Sequence, residues 1–355
     1  MHSKRNWKSQ LKSSYRSLGD IENRYNVPIL AEQLKTEEKY PILIPEYYFN
    51  LINKENLPDD PIWKQCMPDI KELHDTISSQ DPLSEELQMP TSKLIHRYKD
   101  RVVMLTTSRC SMQCRFCFRK RYWKNGTERQ DITNDELDNI CNYLRSNSSI
   151  REVLVSGGDP LILKTGRLKY ILDRLSTISN IEIIRIASRI PVTLPSRVNI
   201  KLTKMLSKYP GLWFVTHFNH PAEITPQSID ACQLILNVGI PILNQTVLLK
   251  GINDNTDVLE NLFRKLIRIK VKPHYLFHVD PVRGVKHFAT GIDYGLNILR
   301  DFRSNLSSIA VPHFAVDLPE GGGKVALQPN YTKNGGFLSI DEEKTIQYYP
   351  LPDTN

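Results

Sequence analysis

From about residue 100 onward, short apolar runs alternate with amphipathic ones six times, and few architectures accept that order. The strand-like runs are VVMLTTS at 102–108, EVLVS at 152–156, IEIIRIAS at 181–188, LWFVTHF at 212–218, PILNQTVLL at 241–249 and HYLFHVD at 274–280. Helical periodicity fills the intervals near 134–147, 167–177, 197–208, 226–238, 256–270 and 292–304. Repeated β-then-α units imply parallel strands covered by helices on the outside. Periodicity alone fits a doubly wound open sheet as well as a barrel. The polar residues choose between them: SR, SGGD, SR, HFNH, NQ and HVD fall at or just past the C-terminal ends of successive strands, where a barrel carries its active site. The expected fold is therefore α/β, a partial (β/α)6 TIM-like barrel open on one side.

The flanks read differently. Residues 1–95 hold helical runs broken by proline-containing segments such as YPILIPEYY and LPDDPIW, and are expected to form a helical N-terminal region packed on a barrel core at 96–305. In the C-terminal segment, 306–355, AVPHFAVDLPEGGGKVALQPNY reads as a strand, a glycine turn and a lysine, followed by a polar tail. No apolar run approaches the ~18 to 20 residues of a membrane helix, and the opening MHSKRNWKSQ lacks the apolar core of a signal peptide, so a cytoplasmic protein without membrane contact is expected. The formal charge of +8 comes from 47 basic residues interleaved with 39 acidic ones. That pattern describes a solvated surface and not a nucleic-acid footprint.

Six cysteines in 355 residues do not make a disulfide framework. Cys141 keeps helical spacing with Leu137 and Leu144, and Cys232 lies in IDACQLIL, so both read as small buried hydrophobes. Cys66, in WKQCMPD, carries no chemical signal. Cys110, Cys114 and Cys117 differ, forming C-x-x-x-C-x-x-C directly after the first barrel strand. Three thiolates on one short loop can hold three irons of a [4Fe–4S] cluster and leave the fourth iron open. Structural zinc is the alternative, although it prefers four ligands and paired C-x-x-C units.

Two glycine-rich stretches also stand out. Ser156-Gly157-Gly158-Asp159 after the second strand is, by itself, ordinary loop chemistry. The run Asp317-Leu-Pro-Glu-Gly-Gly-Gly-Lys324 lets the backbone approach a ligand, and its lysine can be a phosphate ligand, a Schiff-base amine or a solvated charge. It is not a P-loop, because Val325 follows the lysine where Ser or Thr is required.

The cysteine spacing resembles that of radical S-adenosylmethionine (SAM) enzymes. Moreover HRYKDRV, CSMQCRFCFRKR, SGGDPL, THFNHPAEIT, LNQTVLLKGIND, VDPVRGVKHF and DLPEGGGKVALQPNY together, in order, resemble the lysine 2,3-aminomutase family from about Trp7 to Tyr331. The resemblance implies a barrel of the radical SAM type with a [4Fe–4S] cluster on Cys110, Cys114 and Cys117. It implies S-adenosyl-L-methionine bound beside Gly157, Gly158 and Gln245. A second cofactor, pyridoxal 5'-phosphate, would form an aldimine with Lys324, its phosphate met by Arg101 with Arg97 as helper. Arg119 would grip the substrate carboxylate, a task suited to a planar guanidinium, while Asp280 and Asp317 would bind a side-chain ammonium.

The implied enzyme is an isomerase that moves the α-amino group of L-lysine to C3, giving β-lysine. Its implied partners are a small cationic amino acid and a low-potential electron donor of flavodoxin or ferredoxin type, with homo-oligomer formation as a further expectation. An L-arginine 2,3-aminomutase and the lysine aminomutases that modify elongation factor P stay open, the latter because the cluster loop reads CRFCFR. A radical SAM or iron–sulfur protein acting on RNA would use the positive charge but not DLPEGGGK. The sequence departs from the family around Asp280, in VDPVRG. No cysteine follows Cys232, and Asn255 stands where the family's remote zinc cysteine would be.

Overall fold

The computed structural model describes residues 6–25, 27, 29–123, 130–333, 336–339 and 344–346. Positions 124–129, after the cysteine segment, and positions 334–335, 340–343 and 347–355 of the polar tail lie outside these residues. The chain builds a nine-stranded sheet whose spatial order equals its sequence order. The strands are β1 (Leu94–Tyr98), β2 (Arg101–Leu105), β3 (Glu152–Ser156), β4 (Ile183–Ala187), β5 (Leu212–Thr216), β6 (Ile242–Leu248), β7 (Val271–His278), β8 (His313–Leu318) and β9 (Gly323–Leu327). Neighbours from β2 to β8 pair in parallel, and β1 and β9 are antiparallel edges.

The six expected barrel strands are β2 to β7, and the sheet then continues beyond them. The stretch after residue 305 pairs in parallel with β7, with Tyr275 opposite His313, and folds back as β9. Side chains bridge the seam between the two edges: the Lys324 N–H donates to Tyr98 Oη at 2.7 Å, and Arg97 Nη1 lies 3.7 Å from Asp317 Oδ1. The sheet is thus a nearly closed barrel, and Lys324 sits at the seam.

Helices Asn134–Ser146, Thr165–Ser176, Ile200–Leu206, Pro226–Leu236, Thr256–Arg268 and Ile292–Asn305 fill the intervals between the parallel strands. The third is shorter than its periodicity suggests, because a 3-10 turn at Pro195–Arg197 precedes it and Asn199 caps its start. Asn255 has a local task as well, accepting from the Val258 N–H at 3.2 Å as N-cap of its helix. Alternation along each strand separates two environments. On β3, Val153 and Val155 are fully buried, whereas Glu152, Leu154 and Ser156 line a central cavity.

Prolines and caps mark where N-terminal helices start; Asp60, for instance, caps Pro61–Cys66 by accepting from the N–H groups of Ile62 and Trp63, both at 2.8 Å. One apolar core runs from Tyr15 through Phe49 and Trp63 into the barrel helices and on to Phe314. Cys66, Cys141 and Cys232 are buried in it.

Candidate active site

The cavity, about 370 Å3, extends from the barrel interior to the loops at the C-terminal strand ends. All twelve residues singled out by sequence line it. At one end are Cys110, Cys114 and Cys117, on the loop after β2. The glycine pair after β3 fixes that loop by backbone contact. Gly157 has φ +136°, and a Cβ there would lie 2.2 Å from the Thr107 carbonyl oxygen. At Gly158 a Cβ would lie 2.2 Å from the Arg109 carbonyl oxygen, and the Gly158 N–H donates to Thr107 O at 2.6 Å. Only glycine permits this approach.

Burial, reinforced by Asp159 and the neighbouring thiols, pushes the Cys110 thiol well above its ordinary range, and burial with Cys114 beside it pushes Cys117 to about 11. Arg189, past the end of β4, donates from Nη1 to Cys114 Sγ at 2.8 Å and from Nη2 to Glu223 at 2.7 Å and Gln65 at 2.6 Å. His217 also lines the cavity; burial, with Arg189 nearby, lowers its pKa to about 3, so it is neutral. Gln245 lies inside β6 instead of past its end, since the strand continues to Leu248. A register shift between Asn244 and Gln245 accompanies this: Asn244 bonds both backbone groups of Phe218, and Gln245 lines the cavity.

At the other end Lys324, on β9, places Nζ 3.4 Å from Asp317 Oδ2 and above the Phe277 ring, 4.5 Å from its centroid. Asp280 follows β7. It touches the cavity but is otherwise enclosed by protein, and burial together with the Asp317 charge lifts its pKa to about 7. Arg97 is held by the Gln88 side chain at 2.8 Å and the Leu83 carbonyl at 2.9 Å. Arg101 lies over the Tyr98 ring at 3.9 Å and pairs with Asp100 at 2.8 Å.

Arg119 is already partnered. Its Nε and Nη2 bind the two Glu85 oxygens at 2.9 and 2.6 Å, and its Nη1 donates to Gly157 O at 2.9 Å. Glu85 and Gln88 were not singled out by sequence, and Arg189 entered only as part of the strand-end pair Ser188-Arg189. Glu85 and Gln88 are polar residues in a stretch without motif spacing; the folded chain brings Glu85 to the cavity and sets Gln88 behind Arg97.

Comparison with known proteins places these features in a class. Residues 104–262 match the radical SAM superfamily. Residues 299–349 match the family described as lysine-2,3-aminomutase. The L-lysine 2,3-aminomutase of Acetoanaerobium sticklandii is 40% identical over 355 residues, spanning 98% of this chain and 84% of that protein. That of Clostridium subterminale is 39% identical over 345 residues, spanning 96% and 80%. A glutamate 2,3-aminomutase from Clostridioides difficile is 40% identical over 313 residues, spanning 87% and 74%. The chain belongs to the lysine 2,3-aminomutase family of radical SAM enzymes.

Membership brings a [4Fe–4S] cluster, S-adenosyl-L-methionine and pyridoxal 5'-phosphate as cofactors, and the need for a reductant. The residues fit these groups. Cys110, Cys114 and Cys117 line the cavity from a single short loop, a donor set that suits a cubane, in which each thiolate would take its own iron and the fourth iron would stay open. At the opposite end Lys324 lies among the cations Arg97 and Arg101 and the ring of Phe277, a donor set suited to a phosphorylated aromatic aldehyde. Among the described residues no helix is long and apolar enough to cross a membrane.

Proposed function

We propose that this chain is an L-lysine 2,3-aminomutase, moving the α-amino group of L-lysine to C3 to give β-lysine. Family alone does not decide the substrate, since the relatives include a glutamate 2,3-aminomutase at 40% identity. The observation that carries the reading is the carboxylate pair Asp280 and Asp317 beside Lys324. Two anions in one enclosed pocket favour a cation between them and repel a third anion. The side-chain ammonium of lysine would be the cation that this pair takes up.

In this reading Cys110, Cys114 and Cys117 hold the cluster, and Gly157, Gly158 and Gln245 border S-adenosylmethionine. Lys324 holds pyridoxal phosphate, Arg101 and Arg97 face its phosphate, and Arg119 takes the substrate carboxylate. Bound there, the cluster with S-adenosylmethionine supplies radical hydrogen abstraction, and pyridoxal phosphate supplies the conjugation across which nitrogen moves. The chain's own work is orientation and exclusion of water: Phe116, Phe118, Val247 and Phe277 wall the cavity. The reading assigns 1–95 to a supporting helical region, 96–305 to the barrel and 306–355 to a segment carrying Lys324. It also places the enzyme in the cytoplasm, as a homo-oligomer reduced by a flavodoxin or ferredoxin.

Anaerobic reconstitution followed by a panel of L-lysine, L-arginine and L-glutamate tests the proposal. β-Lysine is the expected product. Product from glutamate and from neither cationic amino acid overturns it, and arginine as sole substrate transfers the reading to an arginine aminomutase.

A further inference from the structure

We infer that Glu85 is a positioning residue for substrate recognition, fixing which edge of Arg119 meets the substrate carboxylate; this rests on the reading of Arg119 given above. A guanidinium has five N–H groups. Glu85 takes the Nε–H and one N–H of Nη2, at 2.9 and 2.6 Å. The Gly157 carbonyl takes one N–H of Nη1 at 2.9 Å, and Ser156 Oγ, at 3.5 Å, is too distant to hold another firmly. Glu85 thus holds the side-on edge, Nε with Nη2, and the edge left for a bidentate carboxylate is the end that carries Nη1 and Nη2.

Glu85 is well placed to hold that orientation. It is 4% exposed, and its Oε2 also receives Arg121 Nη2 at 2.9 Å. Its segment is tied at two points to the Lys324 end of the cavity. The Arg283 N–H donates to Ser79 O at 2.8 Å, anchoring the segment to the loop after Asp280. The Glu320 N–H donates to Pro82 O at 3.1 Å, anchoring it to the turn before Lys324. Gln88 binds Arg97. Arg119 is thereby registered against the same frame as Asp280, Asp317 and Lys324, so that Glu85 helps set the span between the carboxylate and ammonium ends of the substrate.

A rival possibility is that Glu85 merely occupies the carboxylate position and is displaced by substrate. Its use of the side-on edge and its sharing with Arg121 argue against that, because displacement would strand a buried carboxylate.

The test is equilibrium binding of L-lysine and L-lysinamide to holoenzyme under anaerobic, non-reducing conditions, for the unmodified chain, Glu85→Ala and the isosteric Glu85→Gln. Expected is a preference of the unmodified enzyme for lysine, and a loss of about tenfold to hundredfold for lysine in the variants with lysinamide unchanged. Equal losses for both ligands, no loss, or tighter lysine binding each overturn the proposal, while a preference for lysine in the unmodified enzyme leaves the Arg119 reading standing. If Glu85→Ala fails to fold, Glu85→Gln decides. An unmodified enzyme that binds both ligands equally refutes the Arg119 reading and takes the proposal with it. Binding of arginine in place of lysine refutes only the choice of substrate, and arginine with its amide then judges Glu85 in the same way.

Discussion

Replacing Asp280 by asparagine should make the protein more stable and the enzyme worse. Asp280 has a pKa of about 7 against an ordinary 3.8, burial being the largest cause and the Asp317 charge the next. Ionising it without a bound cation therefore costs on the order of 4 kcal/mol, an upper figure because water reaches the cavity. A raised folded-state value means that stability from this group is fully present below about pH 4 and lost as pH rises through about 7. At pH 8 Asp280→Asn should raise Tm, and at pH 4 it should not. A bound ammonium offsets the cost of ionisation, so lysine binding near pH 7 should release a proton, seen as a buffer-dependent enthalpy in calorimetry. Asp280→Asn removes that release, and losing one charge-assisted bond should lower kcat/KM by roughly tenfold to hundredfold. An unchanged proton release, or an unchanged kcat/KM for lysine, would refute the pocket assignment.

Alanine at Cys110, Cys114 or Cys117 should abolish S-adenosylmethionine cleavage and the cluster absorbance, whereas alanine at Cys66, Cys141 or Cys232 should leave both intact; iron analysis and deoxyadenosine chromatography decide. Borohydride reduction of holoenzyme should fix pyridoxyl to the peptide containing Lys324, and label on another lysine would contradict its role. Gly158→Ala forces a Cβ to within 2.2 Å of Arg109 O, so the cysteine loop must shift, with a cost of at least ~1–3 kcal/mol in thermal unfolding and reduced iron per chain.

Much of this architecture is legible in the chain because two signals agree. Apolar period marks β2 to β7, and polar residues gather where those strands end. The parallel pairing of β8 with β7 is a long-range contact, so HFAVDL reads locally as only an isolated strand. Asn244-Gln245 resembles a polar strand end, yet Asn244 satisfies the Phe218 backbone and the strand runs on through a bulge. The motif residues around the cavity were visible because glycine, cysteine and lysine at those spacings carry chemistry of their own. Glu85 was not, since an acidic pair in SEEL looks like any solvated surface until the fold buries one member against Arg119 and Arg121. The engagement of Arg119 is hidden for the same reason.

The most direct test of the account follows hydrogen from the substrate. L-Lysine deuterated at C3, incubated with reduced, reconstituted enzyme, should pass label into S-adenosylmethionine or 5'-deoxyadenosine and yield β-lysine, and correspondingly deuterated L-glutamate should pass none. Transfer from glutamate, or from neither lysine nor arginine with the cluster and pyridoxal phosphate fully loaded, would contradict a cavity built around Lys324, Asp280 and Asp317 for a cationic amino acid.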